Sequence, residues 1–229
     1  MDVKICGIRS LADLDIAVRA GASRVGFLVG LTHFSEDRLT SEQAQALVDR
    51  VPEFVRSFLV THLVEPEAIV ELFGEVGTDA LQLHGEMSDE AVFAVREQLS
   101  DAYIVRALHV LDDDSVETVV SRLRAVEHVV DAVLLDSRTT ERLGGTGQTH
   151  DWNISARVVQ RSPIPVVLAG GLSPKNVETA VRAVRPDAID VNSGVENDAG
   201  DKDFDRVRDL VSGAARAQLR LDRAGWSLG

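Results

Sequence analysis

The chain has 229 residues, of which 45% are hydrophobic, and its formal net charge is −13 at pH 7. This acidic charge argues against nucleic acid and anionic membrane surfaces as partners, because both bind basic patches. No apolar run approaches the roughly 18 residues of a membrane-spanning helix, and the N-terminal residues do not resemble a signal peptide, so a cytoplasmic protein is expected.

Short apolar runs rich in β-branched residues alternate with helical patterns along the whole chain. The predicted strands, in chain order, are residues 3–6, 24–28, 55–60, 80–83, 102–107, 132–135, 165–169 and 188–191. Several of them are continuously apolar, such as the Val-Val-Leu-Ala run at 166–169. This pattern is typical of parallel strands that are buried on both faces.

Helical segments with recognisable starts lie between these strands. Their predicted N-caps are Ser10 for the first helix, Ser41 for residues 44–51, Ser88 for 91–99, and Ser173, followed by Pro174, for 177–184. A final helix and tail are predicted over residues 214–229. Every strand is thus followed by a segment that can cross back over the sheet.

The alternation predicts an α/β fold with a parallel sheet and helical crossovers. Eight predicted strands in a chain of this length favour a (β/α)₈ TIM barrel that forms a single domain over residues 1–229. The alternative is a doubly wound open sheet. No linker or low-complexity stretch divides the chain.

Cys6, the only cysteine, ends the first predicted strand and is followed by Gly7. Parallel α/β folds gather their chemistry at the carboxyl ends of their strands, so this position predicts a reactive thiol. The alternative is a small buried hydrophobic residue, which is the role of most free cysteines.

Two glycine-containing turns follow the last two predicted strands. Gly170 and Gly171 come after the seventh strand, and Asn192, Ser193 and Gly194 come after the eighth. Glycines let the backbone approach a ligand closely, and many barrels bind phosphate at this place. The pair of turns predicts a small phosphorylated substrate, although each turn alone could be ordinary turn chemistry.

Asp136 ends the sixth predicted strand, directly after an apolar run. Desolvation at the mouth of an apolar barrel would raise the pKa of its carboxyl and favour a role as proton donor. The alternatives are a helix N-cap and an ion-paired loop residue. The glycine-rich run at 144–147 that follows could form a mobile cover or supply further backbone donors.

Histidines also occur at predicted strand ends and in early loops. His84 follows the fourth strand, His109 follows the fifth, and His33 and His62 each follow a threonine. Because no pair has helical metal-ligand spacing, no metal is predicted, and a zinc site assembled from scattered histidines is the alternative.

Six segments together resemble one known family. They are Lys-Ile-Cys-Gly-Ile at 4–8, Gln-Leu-His-Gly at 82–85, Leu-Asp-Ser at 135–137, the glycine-rich run with Asp-Trp at 144–152, Leu-Ala-Gly-Gly-Leu at 168–172, and Asp-Val-Asn-Ser-Gly-Val-Glu at 190–196. In order and spacing, across nearly the whole chain, they resemble the phosphoribosylanthranilate isomerase family of tryptophan biosynthesis.

The resemblance implies a (β/α)₈ barrel that performs an Amadori rearrangement, in which an aminoaldose phosphate becomes an aminoketose phosphate. It implies that Asp136 is the general acid and Cys6 the general base, the latter if neighbouring dipoles lower the pKa of its thiol. It implies no metal and no organic cofactor. The residues it implies for the phosphate are Gly170, Gly171, Asn192, Ser193 and Gly194.

The chain departs from the family where the substrate's carboxylate would bind. The family usually has an arginine at the position of Asp37, and here Arg38 follows one place later. The resemblance therefore implies substrate binding by Arg38 through a shifted loop, together with His84 and Gly147. A carboxylate at Asp37 would repel the anthranilate carboxylate.

Three functions stay open on these residues. The first is a phosphoribosylanthranilate isomerase, as a monomer or small homo-oligomer. The second is a paralogous enzyme that uses Cys6 and Asp136 on a different phosphorylated sugar or aldehyde. The third is a non-catalytic protein that binds a phosphorylated ligand.

Overall fold

A computed structural model describes residues 1–32, 35–111, 113–137 and 151–226. Its strands are β1 (Asp2–Ile5), β2 (Arg24–Val29), β3 (Arg38–Leu39), β4 (Arg56–Thr61), β5 (Ala80–Leu83), β6 (Tyr103–Val110), β7 (Ala132–Ser137), β8 (Val166–Leu168) and β9 (Ala188–Val191). Its α-helices are α1 (Leu11–Arg19), α2 (Ser41–Val48), α3 (Pro66–Val76), α4 (Asp89–Gln98), α5 (Val116–Val126), α6 (Trp152–Arg161), α7 (Val177–Val184) and α8 (Phe204–Trp226).

The strands form a closed parallel barrel. β1 pairs with β2 on one side and with β9 on the other, so the sheet has no open ends apart from the two-residue β3, which extends from β2. The predicted (β/α)₈ barrel is therefore confirmed, and the doubly wound open sheet is wrong. No helix in the described ranges is long and apolar enough to cross a bilayer.

Two predicted helix starts are confirmed and three boundaries are corrected. The Ser10 and Ser88 side chains cap α1 and α4. Thr40, rather than Ser41, caps α2, because its hydroxyl accepts from the Gln43 amide and the Gln43 side chain accepts from the Thr40 amide. This reciprocal capping box shifts the helix start.

The other two corrections concern α7 and α8. Ser173 does not cap α7, because its amide is bound by the Asn176 side chain in a turn that precedes Val177. The final helix begins at Phe204, ten residues before the predicted start at 214. Gly213, which lowers helix propensity, lies inside α8 close to Val177, where a Cβ would come within 2.8 Å.

The barrel interior has an apolar lower layer and a polar layer above it. Phe58, Val105, Leu134 and Val167 belong to the apolar cluster. Side chains alternate between the two faces of a strand, so residues two positions apart face the same side. Ala80 and Ala188 belong to the apolar cluster, and Gln82 and Asp190, two positions farther along, also face the barrel interior. The latter two are polar, and the site therefore has a polar floor that rests on an apolar plug.

Candidate active site

A cavity of about 340 Å³ opens at the carboxyl ends of the barrel strands. The predicted site residues that line it are Cys6, His84, Asp136, Gly170, Gly171, Asn192, Ser193 and Gly194. They come from five strand ends that are far apart in the sequence. The closed barrel brings them together because every parallel strand ends at the same rim.

Cys6 is held at the junction of β1, β2 and β9. Its amide donates to the carbonyl oxygen of Val191, 2.9 Å away. A Cβ on Gly26 of β2 would lie 3.0 Å from both the Cys6 Sγ and the Lys4 Nζ. A glycine at this strand position therefore leaves room for the thiol and the ammonium side by side.

Burial raises the pKa of the Cys6 thiol to about 11, and the Asp190 carboxylate contributes in the same direction. The Lys4 and Lys202 ammonium groups oppose this shift without overcoming it. The condition that neighbouring groups lower the pKa of the thiol is thus not met. The reason is that desolvation disfavours the thiolate more than two nearby cations stabilise it.

The floor of the cavity is a buried hydrogen-bonded trio. Lys4 Nζ donates to Asp190 Oδ2 at 2.9 Å and to Gln82 Oε1 at 3.0 Å. Burial lowers the pKa of Lys4, but Asp190 and Cys6 raise it more, and the net shift is upward. Lys4 therefore stays an ammonium group beneath the thiol.

The sequence contains a signal for this trio. Lys4, Gln82 and Asp190 are polar residues inside otherwise apolar strands. Charged side chains are rarely buried unless they are paired, so such positions predict partners inside a barrel.

Asp136 lies beside His84 at the barrel rim, near the carboxyl end of β7. His84 Nε2 and Asp136 Oδ2 are 3.5 Å apart. Gln82 Nε2 is 3.2 Å from His84 Nδ1. The His62 ring stacks on the His84 ring with 5.1 Å between centroids, and the His109 ring contacts the His84 ring edge-on with 5.0 Å between centroids.

One group in the described ranges has the geometry of a metal site. The potential ligand atoms of His84, His109 and Asp136 lie within 4.8 Å of one another. Gln82 Oε1 is occupied by the Lys4 ammonium, so its amide nitrogen must donate to His84 Nδ1. The His84 proton then lies on Nε2, facing Asp136, and this arrangement favours a hydrogen bond over a shared metal ion.

The two predicted phosphate turns are packed against each other. Gly170 and Gly171 have φ values of 84° and 63°, which L side chains rarely adopt. A Cβ on Gly194 would lie 1.8 Å from the carbonyl oxygen of Leu172. The Asn176 side chain donates to the Gly171 carbonyl and braces the first turn. Close backbone contact therefore requires glycine at residue 194.

The structure places Arg38 outside this cavity. Arg38 belongs to β3, where its exposed side chain lines a separate groove beside α3. Its neighbour Asp37, which lies in the turn before β3, lines the cavity instead. The other predicted substrate-binding position, Gly147, lies outside the described residues.

Asp37 is held by two side chains. Its Oδ2 accepts a 2.7 Å hydrogen bond from Asn192 Nδ2, and its Oδ1 lies 3.6 Å from Arg9 Nε. The buried Lys202 ammonium in turn donates to Asn192 Oδ1 and to Glu196. The carboxylate at 37 is therefore part of a braced charged cluster at the edge of the cavity.

Comparisons with known proteins agree with this geometry. Residues 3–213 match the family described as N-(5'phosphoribosyl)anthranilate (PRA) isomerase. A protein of Natronomonas pharaonis named N-(5'-phosphoribosyl)anthranilate isomerase is 39% identical over 216 residues, which cover 94% of this chain and 99% of the relative.

Solved structures give the same result. Phosphoribosyl anthranilate isomerase from Thermotoga maritima has a TM-score of 0.80 and 35% identity, covering 94% of this chain and 98% of that chain. A second isomerase structure has a TM-score of 0.77 and 32% identity, with the same coverage of the two chains. That protein is in complex with reduced 1-(o-carboxyphenylamino)-1-deoxyribulose 5-phosphate.

Proposed function

The chain belongs to the N-(5'-phosphoribosyl)anthranilate isomerase family and is an isomerase of tryptophan biosynthesis, and we propose that Cys6 and Asp136 perform its chemistry. Its ligand is a phosphorylated substrate, as the complex of the related isomerase indicates. The observation that supports the proposal is that the Cys6 thiol, the Asp136 carboxyl group and the two glycine turns line the same cavity.

The first step is proton donation by Asp136 to the ring oxygen of the ribose. The bond between C1 and the ring oxygen then breaks, its electron pair stays on the oxygen, and the lone pair of the anthranilate nitrogen forms a protonated Schiff base with C1. Asp136 is left as a carboxylate. A positioned acid of this kind contributes about 10²- to 10⁴-fold to the rate.

The second step is removal of the C2 proton of the Schiff base by the Cys6 thiolate. The electrons of the C2–H bond form a double bond between C1 and C2, and the positive charge on nitrogen is neutralised. Ketonisation of this enolamine gives the aminoketose phosphate. The Lys4 ammonium beneath the thiol supports this role, because it offsets part of the cost of burying the thiolate.

The substrate's phosphate is proposed to lie against the glycine turns. Gly170 and Gly171 on one side and Ser193 and Gly194 on the other bring backbone close to a ligand without intervening side chains. Asn192 is proposed to assist from the second turn. The rearrangement transfers protons within one substrate, so no metal or organic cofactor is included in the proposal.

Gly194→Ala is expected to raise KM for the phosphorylated substrate at least about tenfold and to lower stability. The added Cβ would meet the Leu172 carbonyl and force the two turns apart. Overpacking of this kind costs typically about 1–3 kcal/mol. Steady-state kinetics and thermal unfolding measure both effects.

The matched control is Gly74→Ala in α3, where a Cβ meets nothing within 4 Å. It is expected to leave KM unchanged and to stabilise the helix by about 0.5–1 kcal/mol. Equal kinetics for the two alanine variants would argue against a ligand at the glycine turns.

Asp37→Asn is expected to lower KM for N-(5'-phosphoribosyl)anthranilate by about tenfold with little change in kcat. Two carboxylates in one partly buried cavity repel each other by about 1–2 kcal/mol at an effective dielectric constant of about 20 and roughly 10 Å. The asparagine oxygen can still accept the hydrogen bond from Asn192. Steady-state kinetics at low ionic strength measure the effect.

Arg38→Gln is the control for this change, because Arg38 lies outside the cavity and its loss is expected to leave KM unchanged. A higher KM for the Asp37→Asn variant would instead favour the paralogue hypothesis, in which the substrate's aglycone lacks the anthranilate carboxylate.

The direct test of the proposed function is turnover of N-(5'-phosphoribosyl)anthranilate by the purified chain. Turnover that is lost in the Asp136→Asn variant supports the proposal, and a folded wild-type protein without turnover contradicts it. The cytoplasmic location and the monomeric or small homo-oligomeric state stay predictions.

A further inference from the structure

A series of side-chain contacts runs across the barrel from Lys4, beneath Cys6, to Asp136. Lys4 Nζ donates to Gln82 Oε1 at 3.0 Å, and Gln82 Nε2 lies 3.2 Å from His84 Nδ1. His84 Nε2 lies 3.5 Å from Asp136 Oδ2. The contacts join three strands, β1, β5 and β7, through their inward-facing side chains.

The donors and acceptors in this series of contacts can be assigned from Lys4 to Asp136. Lys4 can only donate, so the Gln82 oxygen faces it and the Gln82 amide nitrogen faces His84. That nitrogen can only donate, so His84 Nδ1 must accept. The single proton of His84 therefore lies on Nε2 and points towards Asp136.

A proton on His84 Nδ1 does not fit this arrangement. An N–H on Nδ1 would face the N–H groups of Gln82, and two donors would oppose each other. Asp136 faces His84 Nε2, His62 and His109 contact the His84 ring, and Arg106 donates to the carbonyl oxygens of Leu83 and Gly85. Arg106 thereby fixes the backbone on either side of the histidine.

Asp136 becomes a carboxylate when it gives its proton to the substrate, and an N–H donor at His84 Nε2 stabilises that carboxylate. Contacts of this kind are often long in ligand-free sites and tighten when substrate binds. Hydrogen bonds to charged groups are stronger than those between neutral groups. The histidine can therefore promote proton donation without contacting the substrate.

We propose that Lys4 and Gln82 fix His84 as its Nε2–H tautomer, and that His84 is a positioning residue that orients Asp136 and stabilises its carboxylate after proton donation. This inference rests on the proposed role of Asp136 as the general acid. It assigns functions to Lys4 and Gln82 beyond filling the barrel, and it replaces direct substrate binding as the role of His84.

Two amide substitutions at one position test this proposal. His84→Gln can present an N–H at the place of Nε2, whereas the shorter His84→Asn can present one only near the place of Nδ1. Measured on the purified full chain, His84→Asn is expected to lower kcat about 10- to 100-fold, the effect of losing one hydrogen bond to a charged group. His84→Gln is expected to retain kcat within about fivefold of wild type, with KM within about twofold for both variants.

A second variant tests the contribution of Gln82. Gln82→Met removes the donor to His84 Nδ1 and is expected to lower kcat at least about fivefold when His84 is present. In the His84→Gln protein, the same Gln82→Met substitution is expected to lower kcat by less than a further factor of about two. The reason is that a glutamine at position 84 has no tautomer for Gln82 to fix. Additive losses in the double variant would overturn the proposal.

Two further outcomes would also overturn it. One is the same kcat for the His84→Asn and His84→Gln variants, and the other is a rise in KM with kcat unchanged, which would make His84 a substrate-binding residue. Failure of the proposed function is distinguishable from both, because it would abolish wild-type turnover or leave the Asp136→Asn variant fully active.

Discussion

Cys6→Ser is expected to lower kcat for N-(5'-phosphoribosyl)anthranilate by about 10³- to 10⁴-fold, near the upper end of what a positioned general base contributes. Serine has nearly the shape of cysteine, but its hydroxyl is a far weaker acid, so almost no oxyanion exists to remove the C2 proton. KM is expected to change little, because Cys6 is proposed to act on a proton rather than to bind the phosphate.

The surroundings of Cys6 make the interpretation of this substitution direct. The serine hydroxyl can occupy the space that Gly26 leaves, and the ion pair between Lys4 and Asp190 does not depend on the sulfur. The variant is therefore expected to unfold within a few degrees of wild type. A Cys6→Ser variant that is folded and retains more than about a tenth of wild-type kcat would contradict the role of Cys6 as the base.

Asp136→Asn is expected to lower kcat by about 10²- to 10⁴-fold. The asparagine has the same shape and its oxygen can accept a hydrogen bond from His84 Nε2, but an amide cannot donate a proton to the ring oxygen as an acid can. The loss of kcat therefore reports the missing acid rather than a change in packing around residue 136. Steady-state kinetics at saturating substrate measure it.

Asp131→Asn is the matched control, because Asp131 directly precedes β7 at the opposite end of the barrel. Its carboxylate accepts from Arg96 and from the Ile104 amide, so the substitution affects stability without approaching the cavity. It is expected to leave kcat unchanged. Similar kcat losses in the two variants would indicate that asparagine at 136 acts through the fold rather than through lost acid catalysis.

Much of this molecule follows from the periodicity of its sequence. Strand and helix patterns alternate eight times, and a closed parallel barrel then requires that Cys6, Asp136 and the glycine turns meet at one rim. The positions of these residues relative to their strands were therefore predictable even though their contacts span most of the chain.

Other features depend on contacts that local patterns do not encode. Arg38 lies outside the cavity because residues 38 and 39 pair with β2 as the short strand β3, which shows no periodicity of its own. Similarly, the raised pKa of Cys6 depends on how deeply the folded barrel buries the thiol. Neither could be obtained from residues 1–40 considered alone.

The buried trio illustrates a third kind of limit. Lys4 is separated from Gln82 by 78 positions and from Asp190 by 186 positions. Each residue alone suggests a buried polar group in need of a partner, but the partners become evident only when the barrel closes. The polar floor beneath Cys6 is thus a product of the topology.

Growth of a tryptophan auxotroph that lacks this isomerase tests the account most directly. On medium without tryptophan, the wild-type chain is expected to restore growth, and the Cys6→Ser and Asp136→Asn variants, expressed as folded protein at the same level, are expected not to. Growth with either variant equal to that with wild type, or no growth with folded wild-type protein, would contradict the account.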